Sequence, residues 1–475
     1  MKLLLVHPYF LELDISERAV MRPYPPLGLL YLSAYVKEHC DWDVRVFDGT
    51  FQTPVDFSEL VASWKPDMIG FYANMITRHH VLELVACCPS GAFLVVGGPD
   101  VRHYAEQYVQ AGLDVAVIGE GELVLRRIME GFGDWSQLAE TEGIVFSDPE
   151  TKAVISRPAP KPTTDLANFP MPDRAAIELN LYLDCWQLHH GIRPISLITS
   201  RGCPYQCTWC AHHVFGYSLR KRPVEDVIAE MEWLHANYQF DHYWFADDVF
   251  TIQPKWNHAL YQALATRPHL IKPFECISRA DRLSDETIQD LVGLGCRKVW
   301  VGAESGSQRL LNEMKRGVTR EQVKASVSAL RHSGIETGMF LMWGFGDEGV
   351  RDVRDTVDMV TQCKPDQALT TVAYPIKGTP YFESLASKGD IEAAPFLDGN
   401  ERSMKIQGQR SAATYRWASD WMQASLSAAK SQTTLHRVLR RIKSRYCQWR
   451  FEWAWRSDPC TESQRSASAT RKLSD

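Results

Sequence analysis

The sequence predicts an α/β protein built from two series of strand–helix units and a helical C-terminal extension. Three observations carry this reading. Short apolar runs alternate with helical segments through residues 1–150, the alternation resumes at residue 194 to make six units by residue 390, and a basic helical stripe runs from Leu435 to Trp453. Strand–helix alternation at this spacing argues for parallel sheets covered by helices. A length of 475 residues suggests about three domains, and 45% hydrophobic with 23% charged residues is enough to bury a large core.

In the first segment, strands are expected at Leu3–Val6, Val44–Phe47, Met68–Phe71, Phe93–Val96 and Val115–Ile118. Helices are expected at Leu27–Lys37, Phe57–Trp64, His79–Ala86, Arg102–Ala111 and Glu122–Glu130. A doubly wound parallel sheet binds ligands at the carboxyl ends of its strands. Those ends are Tyr9–Gly28, Tyr72–Arg78, Gly97-Gly98-Pro99-Asp100 and Gly119-Glu120-Gly121-Glu122. Gly97, Gly98, Gly119 and Gly121 let backbone approach a ligand where a Cβ would clash, although taken alone they read better as simple turn glycines. No G-x-G-x-x-G follows the first strand, which argues against a nicotinamide dinucleotide. His79 and His80 are expected to be solvated or to cap a helix. Residues 151–193, with Pro158, Pro160, Pro162, Pro170 and Pro172, read as a semi-rigid linker without regular structure. Within it, Leu181–Gly191 either closes over a substrate or packs on the surface.

The second series places strands at Ile195–Thr199, Tyr243–Phe245, Phe274–Ile277, Val299–Val301, Gly338–Trp343 and Ala368–Tyr374. Helices fall at Val224–Ala236, Trp256–Ala265, Asp285–Leu294, Arg320–Ser333 and Val350–Gln362. Its first strand runs into Arg201-Gly-Cys203-Pro-Tyr-Gln-Cys207-Thr-Trp209-Cys210. Iron–sulfur clusters are held by cysteine thiolates, four for a cubane. Three thiols at C-x-x-x-C-x-x-C leave one iron open to a ligand. Zinc is the alternative; it favours four Cys or His ligands in paired spacings, and no second pair stands here, although His212 and His213 follow closely. Twelve cysteines are too few for a disulfide scaffold in a chain this long. Cys40, Cys87, Cys88, Cys276, Cys296 and Cys363 fall in apolar or helical patterns and read as core residues.

The cysteine loop, with Trp209 just before its last cysteine, resembles the signature of the radical S-adenosylmethionine superfamily. The resemblance implies a partial (β/α)6 barrel in which Cys203, Cys207 and Cys210 hold a catalytic [4Fe-4S] cluster whose open iron binds S-adenosylmethionine, with Trp209 beside it. It also implies cofactor contacts at successive strand ends. Asp247 and Asp248 stand where relatives hold the amino group; adjacent residues of an extended chain point to opposite sides, so Asp247 is expected to face the site and Asp248 to cap the next helix. Arg279 would take the carboxylate, Glu304 with Ser305 the ribose or amino group, and Gly344 and Gly346 the fifth strand end. The first segment, through Pro25-Pro26-Leu27-Gly28, Val95-Val96-Gly97-Gly98 and Gly119-Glu120-Gly121-Glu122, resembles the Rossmann-like cobalamin-binding domain of cobalamin-dependent radical enzymes. This implies cobalamin contacts at Gly97, Gly98, Gly119, Glu120, Gly121 and Glu122. The D-x-H-x-x-G signature is absent, so no lower axial ligand is named.

The implied organisation is a cobalamin-binding domain at 1–150, a linker at 151–193, a radical barrel at 194–390 and a basic extension at 391–475 with a disordered end after Cys460. The implied chemistry is hydrogen abstraction from an unactivated centre, followed by methylation of a carbon or phosphorus in a small-molecule, lipid or tetrapyrrole intermediate. Cobalamin-assisted oxidation or ring closure is a second reading, and a non-catalytic cluster-bearing sensor a third. Expected partners are the small-molecule substrate and a flavodoxin- or ferredoxin-type electron donor, with no nucleic acid. The apolar stretch at Met1–Val6 is too short for a signal peptide and reads as a first strand, so the expected location is cytoplasmic. Net charge is −6, but residues 401–475 hold 15 Lys and Arg against 6 Asp and Glu. In the helix after Leu435, apolar Val438, Leu439, Ile442, Tyr446, Trp449 and Trp453 recur at helical spacing among Arg437, Arg440, Arg441, Lys443, Arg445 and Arg450. Most such stripes face a core, so this one is expected to pack on the barrel. Contact with a membrane surface or an anionic partner is the other reading.

Overall fold

The computed structural model describes residues 1–212, 214–391, 396–397, 402 and 404–458. His213 and the stretch after Cys460 lie outside the described residues. The chain forms two compact units, one of Met1–Pro204, His212–Trp244 and Ala394–Asn400, the other of Tyr205–Ala211, Phe245–Ala393 and Glu401–Asp475.

The first unit begins with β1 (Lys2–His7), β2 (Asp43–Asp48), β3 (Met68–Tyr72), β4 (Phe93–Gly97) and β5 (Val115–Val117). These pair in the order β2-β1-β3-β4-β5, each neighbour parallel. Side chains alternate across a strand: Leu4 and Val6 enter one core while Leu3 and Leu5 enter the other. Two buried faces are why these strands read as unbroken apolar runs. After α1 (Ile15–Val20), α2 (Leu27–His39) covers one face; α3 (Pro54–Trp64), α4 (Arg78–Val85) and α5 (Val101–Gln110) cover the other, and α6 (Gly121–Glu130) joins α2. The start of α3 is set locally: Thr53 and Asp56 form a reciprocal capping box ahead of Pro54 at the first helical position. His79 and His80 lie on α4, both against Glu83.

The sheet is extended beyond the expected parallel strands. After α7 (Trp135–Ala139), β6 (Ile144–Ser147) pairs antiparallel with β5, and β7 (Val154–Ser156) antiparallel with β6. The supposed linker therefore contributes an edge strand. It also contains α8 (Leu179–His190), whose Tyr182, Leu183 and Trp186 are buried. Trp186 donates from Nε1 to the Pro23 carbonyl at 2.8 Å, so this segment packs into the first unit. The prolines misled because all five fall within residues 157–173, which carry no helix or strand, while β7 and α8 lie on either side.

After β8 (Pro194–Leu197), a two-residue ribbon of β9 (Ser200–Arg201) and β10 (Arg220–Lys221) precedes α9 (Val224–Asn237). There follow β11 (His242–Phe245), α10 (Pro254–Ala265), β12 (Phe274–Ser278), α11 (Asp285–Gly293), β13 (Cys296–Glu304), α12 (Gln308–Glu313), α13 (Arg320–His332), β14 (Glu336–Trp343), α14 (Val350–Cys363), β15 (Gln367–Val372) and α15 (Pro380–Lys388). The second sheet has the order β8-β11-β12-β13-β14-β15, with β12 to β15 paired parallel. Six strands separated by helices are what the sequence predicted. Gly338 is required in β14 because a Cβ there would lie 2.2 Å from the Trp300 ring, which stacks on Phe340 at 4.9 Å.

The extension is a helical hairpin of α16 (Ala412–Lys430) and α17 (Thr434–Ser457). Tyr415 meets Trp455, Trp421 stacks on Phe451 at 5.6 Å, and the Ser425 and Ser444 hydroxyls meet at 2.8 Å, so the helices run antiparallel. The packing face of α17 is Cys447, Phe451 and Trp455. The aromatic stripe expected to be covered is instead exposed. Helical spacing identifies an apolar face but does not say which of two apolar faces finds a partner. Among the cysteines read as core, Cys276, Cys296 and Cys363 are buried, whereas Cys40 and Cys88 are half-buried and Cys87 is exposed at the end of α4. No described helix is long and apolar enough to cross a membrane.

Candidate active site

The cysteine loop begins where β9 and β10 close it. Gly202 has φ +83° and a Cβ there would lie 2.1 Å from the Ser218 carbonyl oxygen, so glycine alone permits the turn into half-buried Cys203. In the second unit, Thr208 N–H donates to the Met314 carbonyl at 3.0 Å and Tyr381 N–H donates to the Thr208 carbonyl at 2.8 Å. These bonds fix the segment carrying Cys207 and Cys210 to the end of α12 and the start of α15.

Cys207 is buried, and two guanidinium groups point at its sulfur: Arg316 Nη1 at 3.4 Å and Arg279 Nη1 at 3.9 Å. Arg279 is held by Asp281 at 2.9 Å and by the Arg316 carbonyl at 2.6 Å, and lies 3.5 Å above the centre of the Tyr205 ring. Arg316 Nη2 donates to the Gly302 carbonyl at 2.8 Å and stands 3.4 Å from Glu304. A Cβ on Gly302 would fall 2.4 Å from that nitrogen, so glycine is what lets Arg316 approach the strand here. Burial pushes the Glu304 carboxyl above its ordinary range, while Arg316 and Arg279 pull it back. Burial opposes the Arg316 charge, yet Glu304 and Cys207 hold its pKa above the usual value. Glu304 also sits at φ 59°, a left-handed backbone that a residue with a Cβ rarely adopts. Strain of this kind persists where the surroundings enforce it, commonly at functional sites.

Among the described residues, no three His, Cys, Asp or Glu side chains converge closely enough to hold a metal ion. The fit to an iron–sulfur cluster lies in the donor set: three thiols on one loop, with two cations at the buried sulfur. Thr208 Oγ1 and Trp209 Nε1 are also buried without a hydrogen-bond partner. Hydrogen-bond donors and positive charge around thiolate ligands are the protein's means of tuning such a group. Trp209 packs against Met314, Met342, Phe345 and Tyr381.

The other expected contacts divide. Asp247 is buried and Asp248 exposed, as alternation requires, but Asp248 does not cap α10, whose N-cap is Gln253. Ser305 is fully buried, its hydroxyl 3.3 Å from Thr356 Oγ1 and accepting from Ser307 N–H at 3.1 Å, which ties the strand end to α14. Gly344 and Gly346 have φ of 72° and 59°; added Cβ atoms would meet Tyr415 Oη at 2.7 Å and Glu313 Oε1 at 2.4 Å. Glu348 accepts from the Gly344 N–H at 2.6 Å through Oε2 while buried Oε1 has no partner. Burial pushes its carboxyl up to about 8, against the pull of the Gly344 N–H.

At the carboxyl edge of the first sheet, Gly98 has φ +121° and a Cβ there would lie 2.4 Å from the Ala73 carbonyl oxygen, whereas Gly97 has only Val117 Cβ nearby, at 3.8 Å. Gly119 has φ +94°, and a Cβ on Gly121 would meet the Leu32 side chain at 3.1 Å. Glu122 receives Arg201 Nη2 at 2.6 Å and Glu120 pairs with Arg220, so both carboxylates are tied to the ribbon that closes the cysteine loop. This edge carries a polar network that sequence reasoning passed over. Asp48 accepts from His7 at 3.0 Å, Tyr182 at 2.6 Å and Thr50 at 2.8 Å. Burial raises the Asp48 carboxyl, but these bonds outweigh it and hold the pKa below its ordinary value. A histidine and an aspartate each ending an apolar strand were the available signal. Arg316 was also missed; its signal was Lys315-Arg316-Gly317 after a short helix.

Residues 19–129 match the B12 binding domain family and residues 197–360 the radical SAM superfamily. Over 394 residues, 81% of this chain and 83% of the relative, the sequence is 29% identical to an uncharacterized methyltransferase of Pyrococcus horikoshii. Over 402 residues, 82% of this chain and 71% of the relative, it is 24% identical to the anaerobic magnesium-protoporphyrin IX monomethyl ester cyclase of Rubrivivax gelatinosus. The fold matches the radical S-adenosylmethionine methyltransferase TsrM of Kitasatospora setae, solved with cobalamin and a [4Fe-4S] cluster, with TM-score 0.71 over 94% of this chain and 99% of that one at 16% identity. The chain is thus an enzyme of the radical S-adenosylmethionine superfamily, with a B12 binding domain ahead of its radical domain.

Proposed function

We propose that this enzyme methylates an unactivated carbon or phosphorus centre of a small molecule, using a [4Fe-4S] cluster, S-adenosylmethionine and cobalamin. The observation that carries the reading is the pairing of a B12 binding domain with a radical domain in a chain similar over 81% of its length to a methyltransferase. When bound, the cofactors supply radical hydrogen abstraction and carriage of the methyl group. Cys203, Cys207 and Cys210 would hold the cluster. Arg279 and Arg316 present positive charge and N–H donors to the Cys207 sulfur. Buried Asp247 offers a carboxylate suited to an ammonium group. Gly97, Gly98, Gly119 and Gly121, with Glu120 and Glu122, form the proposed cobalamin edge. The proposed setting is the cytoplasm, with a flavodoxin- or ferredoxin-type reductant.

Oxidative ring closure is the second reading, favoured by the similarity to the Rubrivivax cyclase. Anaerobic reconstitution with iron, sulfide and cobalamin, followed by turnover on cell-extract metabolites, separates the two. Methyl transfer yields 5′-deoxyadenosine and S-adenosylhomocysteine in equal amounts with a methylated product. Ring closure yields no stoichiometric S-adenosylhomocysteine, and that result would displace the methyltransferase reading.

A further inference from the structure

Helix α17 leaves a long apolar stripe largely uncovered, its Tyr446 alone meeting a ring of α16, Trp417, at 6.2 Å among the described residues. Leu435, Val438, Leu439, Ile442, Tyr446, Trp449 and Trp453 are each 48–69% exposed. At about 100° per residue these seven side chains fall within an arc of roughly 100°. Cys447, Phe451 and Trp455, which pack on α16, lie on the opposite side of the helix. The stripe is therefore not the fringe of the hairpin core but a second apolar face turned away from it.

Charge flanks this stripe on both sides. On the same helical period, Arg441 and Arg445 border one edge and Lys443 and Arg450 the other. Thr434–Ser457 contains seven Arg or Lys and one acidic residue, Glu452, which is engaged by Arg354 at 3.1 Å and Gln448 at 3.0 Å. Residues 401–475 have a formal charge of +9 on a chain whose total is −6, so the positive field is local to this extension.

We propose that α17 docks flat on an anionic lipid bilayer surface, its apolar stripe entering the headgroup boundary. This does not depend on which reaction the enzyme performs. Arg450 lies over the Trp417 ring at 4.5 Å, but Arg441 and Arg445 on one flank and Lys443 on the other are exposed; burial of a ~100° apolar arc at the interface, with such cationic side chains reaching to headgroups, is the geometry of a surface-lying amphipathic helix. Tyr446, Trp449 and Trp453 supply rings of the kind that settle at the water–lipid boundary. The stripe spans 19 positions, about 27 Å at 1.5 Å per residue, so contact would extend along most of the helix. A second copy of the chain fits less well: face-to-face stripes would set the arginine and lysine borders against each other, and Glu452, the one acidic residue of α17, is already engaged by Arg354. A soluble polyanion would satisfy the charges and leave the apolar stripe wet.

The test is co-sedimentation of the full chain with phosphatidylcholine vesicles and with vesicles containing about one-third phosphatidylglycerol, each at low and high salt. The expected result is binding to the anionic vesicles that weakens with salt and is far weaker on pure phosphatidylcholine. Leu439→Asp/Ile442→Asp should reduce that binding at least 10-fold, on the order of 1.4 kcal/mol, and Arg441→Glu/Arg445→Glu should do the same. All four positions are exposed, so unchanged circular dichroism is expected; a variant that misfolds is replaced by the other pair. Absence of binding to anionic vesicles overturns the proposal. So does binding that survives both double substitutions. A lipid-free dimer in light scattering that Leu439→Asp/Ile442→Asp dissolves assigns the stripe to a second copy, and also overturns it.

Discussion

Cys207 is the cysteine whose setting within the second unit is defined in most detail. Its sulfur is buried, two guanidinium groups face it, and the segment beneath it is bonded to Met314 and Tyr381. Cys207→Ala is expected to drop bound iron and sulfide to background after anaerobic reconstitution, with thermal unfolding of the cluster-free chain little changed. Retention of a cluster would remove the cysteine from its assigned role. Arg316 acts through that sulfur. Arg316→Ala should make a bound cluster harder to reduce, and Arg316→Lys should restore part of the potential, because a positive charge beside the thiolate favours the added electron. A redox titration that is unmoved by Arg316→Ala would leave the arginine a merely structural partner of Glu304. Glu348 yields a pH prediction. Its carboxyl is raised to about 8, so between the ordinary carboxylate range and that value the folded chain holds a proton that the unfolded chain has lost. Stability therefore falls as pH rises through this window. Glu348→Gln should flatten that slope and be more stable than the parent at pH 8 by on the order of 3 kcal/mol, measured by urea unfolding at pH 5 and pH 8.

At the scale of elements, the first-unit segment before β8 is held to α9 by charge as well as by apolar burial. Arg174 Nη2 lies 2.7 Å from Glu230 and Arg222 also pairs with it; all three side chains are buried. Burial alone would raise the Glu230 carboxyl, but the two arginines outweigh it and lower its pKa. Its contribution is thus present above the unfolded carboxylate pKa and is lost as pH falls through the lowered folded value. Glu230→Gln leaves two buried cations facing a neutral group and should cost about 3–5 kcal/mol in denaturant unfolding at neutral pH. A loss below about 1 kcal/mol would show that water reaches the pair. The main strands and helices were readable because local signals and burial agree: both faces of the first sheet are covered, so its strands appear as apolar runs, and capping boxes at Thr53 and Thr319 mark helix starts. Strand β7 and helix α8 were hidden by neighbouring prolines. The partner choice of α17 was hidden because both of its faces contain apolar side chains.

At the scale of the molecule, each compact unit contains its own core, with the first-sheet cores in one and the cluster of Met314, Met342, Phe345 and Tyr381 in the other. Unfolding in calorimetry is expected to depart from a single two-state transition, with a measured enthalpy larger than the van't Hoff value. Equality of the two would show that the units unfold as one.

The sequence by itself determined the fold class, the order of elements and the donor set of the cysteine loop. Those depend on side-chain period, local capping and the identity of donor atoms, all carried by residues near one another in the chain. Tertiary structure alone decided that Arg316 and Arg279 stand at Cys207, that Glu120 and Glu122 are bound by arginines, that Asp48 gathers His7, Thr50 and Tyr182, and that the stripe of α17 is left uncovered. These pairings join positions far apart in sequence, and burial, which sets their charge states and exposes or hides a face, is a property of the assembled core rather than of any local run.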